Sequence, residues 1–389
     1  MPRMQKLRVS TPQNDGLVFD VIGVGALNVD YIARAQAASA GWTQSIVAVL
    51  SAMVPKLNPP LRWNTERLAA ESPVWAPWVV PPDDVTVELG GSAFNTIHAL
   101  AHTRIGAKVG YVGVAGNTPP SVDSFEQAFD KAGVDRSFVR SRSEQPAGVC
   151  LSVLEHGEPT MLTYPGVNLA MAAYLEAEAN AIVEYLASAR VIHVTSLLDG
   201  ESPKHLLRVL REVKRRSPAT VISFDPGFAW CMDFTGVLAD FADVSDIMSM
   251  NQLELFAAAS CSSMADDKHA ARLVVDRFMG GRGILIARAP GSVTYYQASK
   301  DTFTTQTHRY VRLPEGEVID ATSAGDVFAA GFLAGFLVDP HDLEVGIALG
   351  MKLARTHVQH LGAAGYQYFP AIAADSIRLQ ASEEVPSDA

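Results

Sequence analysis

Apolar runs alternating with helix-like segments predict an α/β fold for this chain: a mainly parallel sheet flanked by helices, with a small β-sheet lid. Three observations carry that expectation. Leu17 to Val24 (LVFDVIGV) is a short apolar run closed by glycine, as a buried first strand should be. Further runs at Lys108 to Val114, Val191 to Val194, Val221 to Phe224, Ile247 to Met250 and Gly283 to Ala287 each follow a helix-like stretch, the pattern of strands joined by crossover helices. Two β-rich pieces break the alternation: Val79 to Leu89, and Val149 to Tyr164, whose halves are joined by His156-Gly157-Glu158-Pro159 as in a hairpin. These supply the lid, and closing a lid keeps water out of a site.

The 389 residues, 48% of them hydrophobic, exceed the usual single-domain size but suit one large sheet with an added subdomain. The expected division is a discontinuous core (17–32, 91–147 and 166–371), a lid with a helical insertion (33–90 and 148–165), and flexible ends (1–16 and 372–389). The insertion, Ala33 to Trp78, holds Trp42, Trp63, Trp75 and Trp78. Its expected place is on the lid or against a second subunit, which would make a homodimer through the lid; the other reading has its tryptophans lining the substrate pocket.

A formal net charge of −11 argues against a nucleic-acid partner, because phosphate backbones need basic faces. Cys150, Cys231 and Cys261 have no metal-type spacing and are too few for a disulfide framework. The start carries no apolar signal core, and no apolar run approaches the about 18 to 20 residues that cross a bilayer. The expectation is a cytoplasmic protein without a membrane partner. His357 and His360 lack a third ligand nearby in sequence and read as ordinary surface or core residues.

The most informative stretch is Asp320-Ala321-Thr322-Ser323-Ala324-Gly325-Asp326, a small-residue turn with a carboxylate directly before the apolar run Val327 to Val338. If that run is a helix, its first turn offers unpaired N–H groups and a positive dipole end to an anion. A carboxylate beside a phosphate cradle repels the phosphate unless it has a task, and the fitting task is accepting a proton from a hydroxyl that attacks phosphorus. Its place at a helix N-terminus predicts a weak base. The plainer alternative is a glycine-containing turn before a buried helix.

Other segments join it. Gly23-Val24-Gly25-Ala26-Leu27-Asn28-Val29-Asp30 lies where a dinucleotide fingerprint would, but Asn28 replaces the third glycine and no acidic residue follows at the required distance. Asn28 and Asp30, two residues apart, can instead point into one crevice and bond vicinal hydroxyls, or cap a turn. Gly90 and Gly91 let backbone approach a ligand, and Asn95 offers donor and acceptor; a helix-entry turn explains the glycines equally well. Asn251 and Glu254 share a face at a helix start, either around a cation or as a capping box.

The stretch from Asp320 to Asp326 resembles the Asp-Thr-x-Gly-Ala-Gly-Asp signature of the ribokinase/PfkB family of carbohydrate and nucleoside kinases, with Ala321 where the family usually has Thr and Ser323 where it usually has Gly or Ala. Asn28-x-Asp30 resembles the pair with which the family holds its sugar. Gly90-Gly91-Ser92-Ala93-Phe94-Asn95 looks like its Gly-Gly-x-x-x-Asn substrate motif, and Asn251-Gln252-Leu253-Glu254 like its Asn-x-x-Glu. Asp225-Pro226 resembles a strand-end Asp-Pro without the arginine that often follows, and marks Asp225 as a cation-side residue. The loop Arg288 to Ser292 keeps only Gly291 of a Gly-x-x-Gly that covers the nucleotide.

The resemblance spans roughly Leu17 to Gly365 and implies a ribokinase-like (Rossmann-like) fold and ATP-dependent phosphorylation of a sugar or sugar-like hydroxyl. It implies Asp326 as general base, the N–H groups of Ser323, Ala324, Gly325 and Asp326 as an anion hole for the transferring group, and Asn28, Asp30, Gly90, Gly91 and Asn95 at the substrate. It also implies Asn251, Arg288, Gly291 and Gly325 at the nucleotide, Mg²⁺ on Glu254 through water, and a monovalent cation, K⁺, near Asp320. Two alternatives stand beside it: a nucleoside (adenosine-like) kinase with an aromatic platform for the base, which Ser92 leaves open where ribokinase-like members often carry lysine, and a non-catalytic sugar-binding regulator.

Overall fold

A computed structural model of the chain describes residues 17–34, 66–68, 85–155, 158–232, 235–261 and 266–383. Its strands in chain order are β1 (Phe19–Val24), β2 (Asn28–Arg34), β3 (Glu66–Leu68), β4 (Val85–Gly90), β5 (Val109–Asn117), β6 (Asp135–Pro146), β7 (Gly148–Glu155), β8 (Glu158–Tyr164), β9 (Ala189–Thr195), β10 (Val221–Asp225), β11 (Ile247–Asn251), β12 (Gly283–Ala289), β13 (Ser292–Ser299) and β14 (Thr302–Arg309). Nine of them form the main sheet in the order β14-β13-β12-β11-β10-β9-β1-β5-β6, and five form a smaller one in the order β3-β8-β7-β2-β4.

The main sheet is parallel from β6 to β12, and β13 and β14 extend it antiparallel. Strands β6, β13 and β14 were not foreseen. Both edge strands, β6 (DRSFVRSRSEQP) and β14 (TFTTQTHR), are polar and largely exposed, so the apolar run that marks a buried strand is missing from them. The chain leaves β1 toward β5 and β6 on one side and returns through β9 on the other. That makes the carboxyl ends of β1 and β9 a topological switch point, where doubly wound sheets hold their ligands.

Both sheet faces are covered, and each covers a core of buried apolar side chains. On the face that matters for the site lie two helices, Ser92–His102 and Ala324–Val338, packed on each other. The second is apolar all round, as a helix enclosed by neighbours should be. Gly331 and Gly335 lie against Gly350 and Gly346 of the helix Leu343–His357, so close that a Cβ on either would collide with that backbone. The glycine pair serves close packing on this helix.

Three boundaries differ from expectation. The lid begins at residue 28, because β2 belongs to the small sheet, pairing antiparallel with β4 and parallel with β7. The expected hairpin is present as β7 and β8, in register from Val149↔Tyr164 to Glu155↔Glu158, while the turn residues 156–157 lie outside the described residues. The end expected to be flexible from 372 is helical through Glu383, since Phe369 and Ala373 are buried against the core. Of the insertion, only 33–34 and 66–68 are described; its expected helices, its tryptophans and the surface for a homodimer contact lie outside the described residues.

Candidate active site

The helix Ala324–Val338 starts from Ser323, whose backbone is left-handed (φ 61°, ψ 8°) and whose side chain does not cap the helix. The turn before it is tied down on every side. Asp320, fully buried, accepts from the Thr322 N–H at 2.9 Å and from the Gly362 N–H at 3.1 Å. The Thr322 carbonyl accepts from His357 Nε2 at 2.6 Å, and the Thr322 hydroxyl lies 3.5 Å from the Ser152 hydroxyl of the lid. His357 is thus a buried brace for this turn, its ring held neutral chiefly by burial. Its spacing from His360 gave no hint of that.

The four-donor anion cradle expected of Ser323 to Asp326 is smaller in the structure. Ala324 N–H bonds back to the Ala321 carbonyl at 3.2 Å, and Val327 N–H to the Ser323 carbonyl at 2.9 Å. Of the four donors, those of Ser323, Gly325 and Asp326 have no backbone acceptor among the described residues.

Asp326 is engaged by Asn95, whose Nδ2 donates to Ser323 Oγ at 2.7 Å and to Asp326 Oδ2 at 3.3 Å. Burial, followed by the nearby charge of Asp225, pushes the Asp326 carboxyl up to about 8 against the pull of Asn95 and Arg288. The weak base expected from the helix dipole is therefore corrected: loss of hydration and a like charge outweigh it, and they make this carboxylate a stronger base.

Arg288, expected on a loop that covers the nucleotide, lies within β12, and its guanidinium turns inward. It donates to the Gly325 carbonyl at 3.0 Å and to Asp225 Oδ2 at 3.2 Å, and lies 3.9 Å from Glu254 Oε2. A Cβ on Gly325 would press on that guanidinium. Gly291, also expected at the nucleotide, is the turn glycine between β12 and β13 (φ 89°), with its carbonyl accepting from Tyr310 N–H at 3.0 Å.

Asn251 and Glu254 form a reciprocal capping box. Asn251 Oδ1 accepts from Glu254 N–H at 2.9 Å and Glu254 Oε2 from Asn251 N–H at 2.7 Å. The cap sits beside Asp225 and Arg288 at the carboxyl ends of β10, β11 and β12. No group of three or more His, Cys, Asp or Glu side chains able to hold a metal occurs among the described residues. The set Asp225 and Glu254, hard oxygens balanced by one arginine, still fits Mg²⁺, which takes one or two carboxylates and keeps its waters and phosphate ligands. At Asp320 both oxygens are occupied by backbone N–H groups, and K⁺ there stays an expectation of the resemblance alone.

Beside the turn is a cavity of about 500 Å³ lined by Asp30, Glu88, Asn95, Asp320 and Ser323, and also by Phe94, His98, His102 and Tyr366. Asp30 and Asn95 therefore converge as expected. Asn28 does not line it: its Oδ1 accepts from Asn168 Nδ2 at 3.0 Å, part of a knot in which Asn168 also bonds Leu27 N–H and the carbonyls of Leu27 and Pro165. Gly90 and Gly91 act differently from expectation as well. A Cβ on Gly90 would enter the Asp30 carboxylate, and one on Gly91 (φ 106°) the Ala26 carbonyl, so the glycines make room for protein atoms.

Sequence reading missed Glu88 and the histidines. Glu88 faces Asp30 across β2 and β4, accepts from Ala363 N–H at 3.1 Å, and has its carboxyl pushed up, first by burial. His98 and His102 share one helical face at i and i+4, a spacing that could have marked them; burial lowers His98 to about 3.

Comparison with known proteins agrees with this architecture. The chain is 22% identical over 290 residues to an adenosine kinase of Schizophyllum commune, covering 73% of this chain and 83% of that one. It is 26% identical over 270 residues to an uncharacterized sugar kinase of Archaeoglobus fulgidus, covering 67% and 95%. Among solved structures, a probable sugar kinase from Rhizobium etli superposes with TM-score 0.72 at 20% identity over 92% of this chain and 98% of that one. Adenosine kinase from Schistosoma mansoni bound to 2-fluoroadenosine gives 0.70 at 18% identity over 89% and 97%. At these identities the superpositions show the fold. The pfkB family carbohydrate kinase model matches residues 66–367, from β3 to beyond the turn 320–326, and this chain belongs to that family of kinases.

Proposed function

We propose that the chain transfers the terminal phosphoryl group of ATP to a hydroxyl of a sugar, free or carried in a nucleoside, with Asp326 as the general base. The observation that carries this reading is the Asn95 amide, which reaches Ser323 and Asp326 from the wall of the cavity that also holds Asp30. Asp30 and Asn95 hold acceptor hydroxyls. Asp326 takes the proton of the attacking hydroxyl as its oxygen bonds to phosphorus and the bond to the ADP oxygen breaks. The Ser323, Gly325 and Asp326 N–H groups meet the charge on the transferring group. Arg288, held by Asp225 and the Gly325 carbonyl, keeps positive charge beneath the phosphates. Asp225 and Glu254 would hold Mg²⁺, through water at Glu254, and the ion supplies charge neutralisation to the phosphates.

A nucleoside acceptor has a specific observation in its favour. The cavity lining also carries Phe94 and His98, stacked with ring centroids 5.1 Å apart, together with Tyr366 and His102, aromatic rings that offer a face to a base. The adenosine kinases among the relatives point the same way. The non-catalytic regulator loses its ground with membership in a kinase family and an intact Asp326. Assaying ADP release with a panel of sugars and nucleosides tests the proposal. Turnover with at least one member that disappears in Asp326→Asn is expected, and turnover unchanged by that substitution would overturn it.

A further inference from the structure

Among the groups around Asp326, the Ser323 side chain has no assigned task, and its surroundings leave its proton one direction to go. Asn95 Nδ2 is a donor only, so at 2.7 Å the Ser323 oxygen is the acceptor. In the ionised form in which Asp326 acts as base, the opposite orientation of the Asn95 amide would set its carbonyl against a carboxylate oxygen 3.3 Å away. With the oxygen taken by Asn95, the hydroxyl proton has no protein acceptor among the hydrogen bonds of the described residues. Ser323 lines the cavity. It also stands at the one position where the cradle is short of a donor, because the next N–H, that of Ala324, is turned back to Ala321.

The backbone supports the same conclusion. Ser323 has φ 61°, a region that glycine enters without cost and side-chain-bearing residues enter rarely. A glycine would satisfy the turn, so the hydroxyl needs a reason beyond the turn itself.

We infer that Ser323 is a further catalytic residue: its hydroxyl, held by Asn95, donates a hydrogen bond into the cavity to the oxygen on which charge builds during phosphoryl transfer. It replaces the donor withdrawn by the Ala324 to Ala321 bond, and Asn95 acts as its positioning residue. This rests on the kinase reading of the site. No covalent change at Ser323 is involved; it keeps its proton throughout.

Two substitutions separate hydroxyl from backbone. Ser323→Ala removes the hydroxyl and keeps the side chain in a left-handed backbone, whereas Ser323→Gly removes both. Turnover is measured with ATP and an acceptor identified by ADP release, and thermal melting is measured on the same full-length proteins. We expect kcat to fall on the order of 10²-fold in both variants with the KM for the acceptor little changed. The glycine variant should melt at or above the alanine variant. Wild-type turnover in Ser323→Gly, or a loss in Ser323→Ala that glycine restores, would overturn the inference, since the backbone would then be the cause. Asp326→Asn is run alongside. If it abolishes turnover while Ser323→Gly does not, only the role of Ser323 falls; if neither matters, the kinase reading of this site falls with it.

Discussion

Asn95 donates from its amide nitrogen to Oδ2 of Asp326 at 3.3 Å, joining the helix that follows the lid strand β4 to the helix that begins at the turn 320–326, 231 positions later in the chain. The two helices also pack on each other, and this bond links the cavity wall to the Asp326 carboxyl.

The raised Asp326 carboxyl sets a pH dependence. In the protein alone it is largely protonated below about 8, so kcat/KM should climb with pH and level off above that value. Asp326→Asn should lower turnover at least ~10²-fold and leave ATP binding nearly intact. Stability should move in the opposite sense. The folded-state value lies above the ordinary 3.8, so between about 4 and 8 the folded chain holds a proton that the unfolded chain has released. Wild-type stability then declines across that window. Asp326→Asn is free of this decline, and its melting temperature should pull ahead of the wild type as pH rises from about 4 to 8. Parallel melting curves at every pH would show that the carboxyl is not raised.

Arg288 supplies a second test. Its guanidinium is the positive group between Asp225 and Glu254 and also holds the Gly325 carbonyl. Arg288→Met leaves two buried carboxylates without it, a loss on the order of 3 to 5 kcal/mol, measurable by denaturant unfolding. The Asp326 carboxyl should rise further, so the ascending limb of the pH–rate profile should shift to higher pH. A variant as stable as the wild type would mean that Arg288 is not a structural cation.

Much of this site could be read from the chain because its parts are short and local. The turn from Asp320 to Asp326, Asp30 and Asn95 lie next to strand ends or helix starts, where backbone geometry alone fixes direction. What could not be read depends on contacts between distant segments. Asn28 looked like a partner of Asp30 at i+2, yet its direction is decided by Asn168, 140 residues away. Arg288 sits in a loop-like sequence, and only the approach of Asp225 and Gly325 turns it inward. Gly90 and Gly91 signalled close approach correctly but not what approaches. Strands β6 and β14 escaped notice because edge strands have little apolar face to show.

Glu254 holds a capping box and stands beside the expected Mg²⁺ position, and two substitutions divide those roles. Glu254→Gln keeps a side chain able to bond back to Asn251 N–H, so melting should change little, while the Mg²⁺ concentration for half-maximal rate should rise. Glu254→Ala loses the box as well and should cost about 1 kcal/mol or more of stability. A magnesium titration unchanged in Glu254→Gln would leave the cap as the whole function of this residue.

Asp30 decides how the acceptor is held. Its carboxylate rests over Gly90, faces Glu88 across the lid sheet and lines the cavity with Asn95 and Ser323. Two carboxylates on adjacent strands repel each other and attract hydrogen-bond donors, so a pair of acceptor hydroxyls is the fitting occupant, one for each acid. Removing the hydroxyl that meets Asp30 removes one hydrogen bond to a buried carboxylate, and a deoxy analogue at that position should bind more weakly by ~1 to 3 kcal/mol. In Asp30→Ala the penalty has no source, and the variant should bind the parent compound and the analogue equally, both more weakly than the wild type binds the parent. Isothermal titration of both compounds against both proteins measures the coupling directly. If Asp30→Ala still prefers the hydroxylated compound by the wild-type margin, the hydroxyl is held elsewhere, and Glu88 becomes the residue to test next by the same cycle.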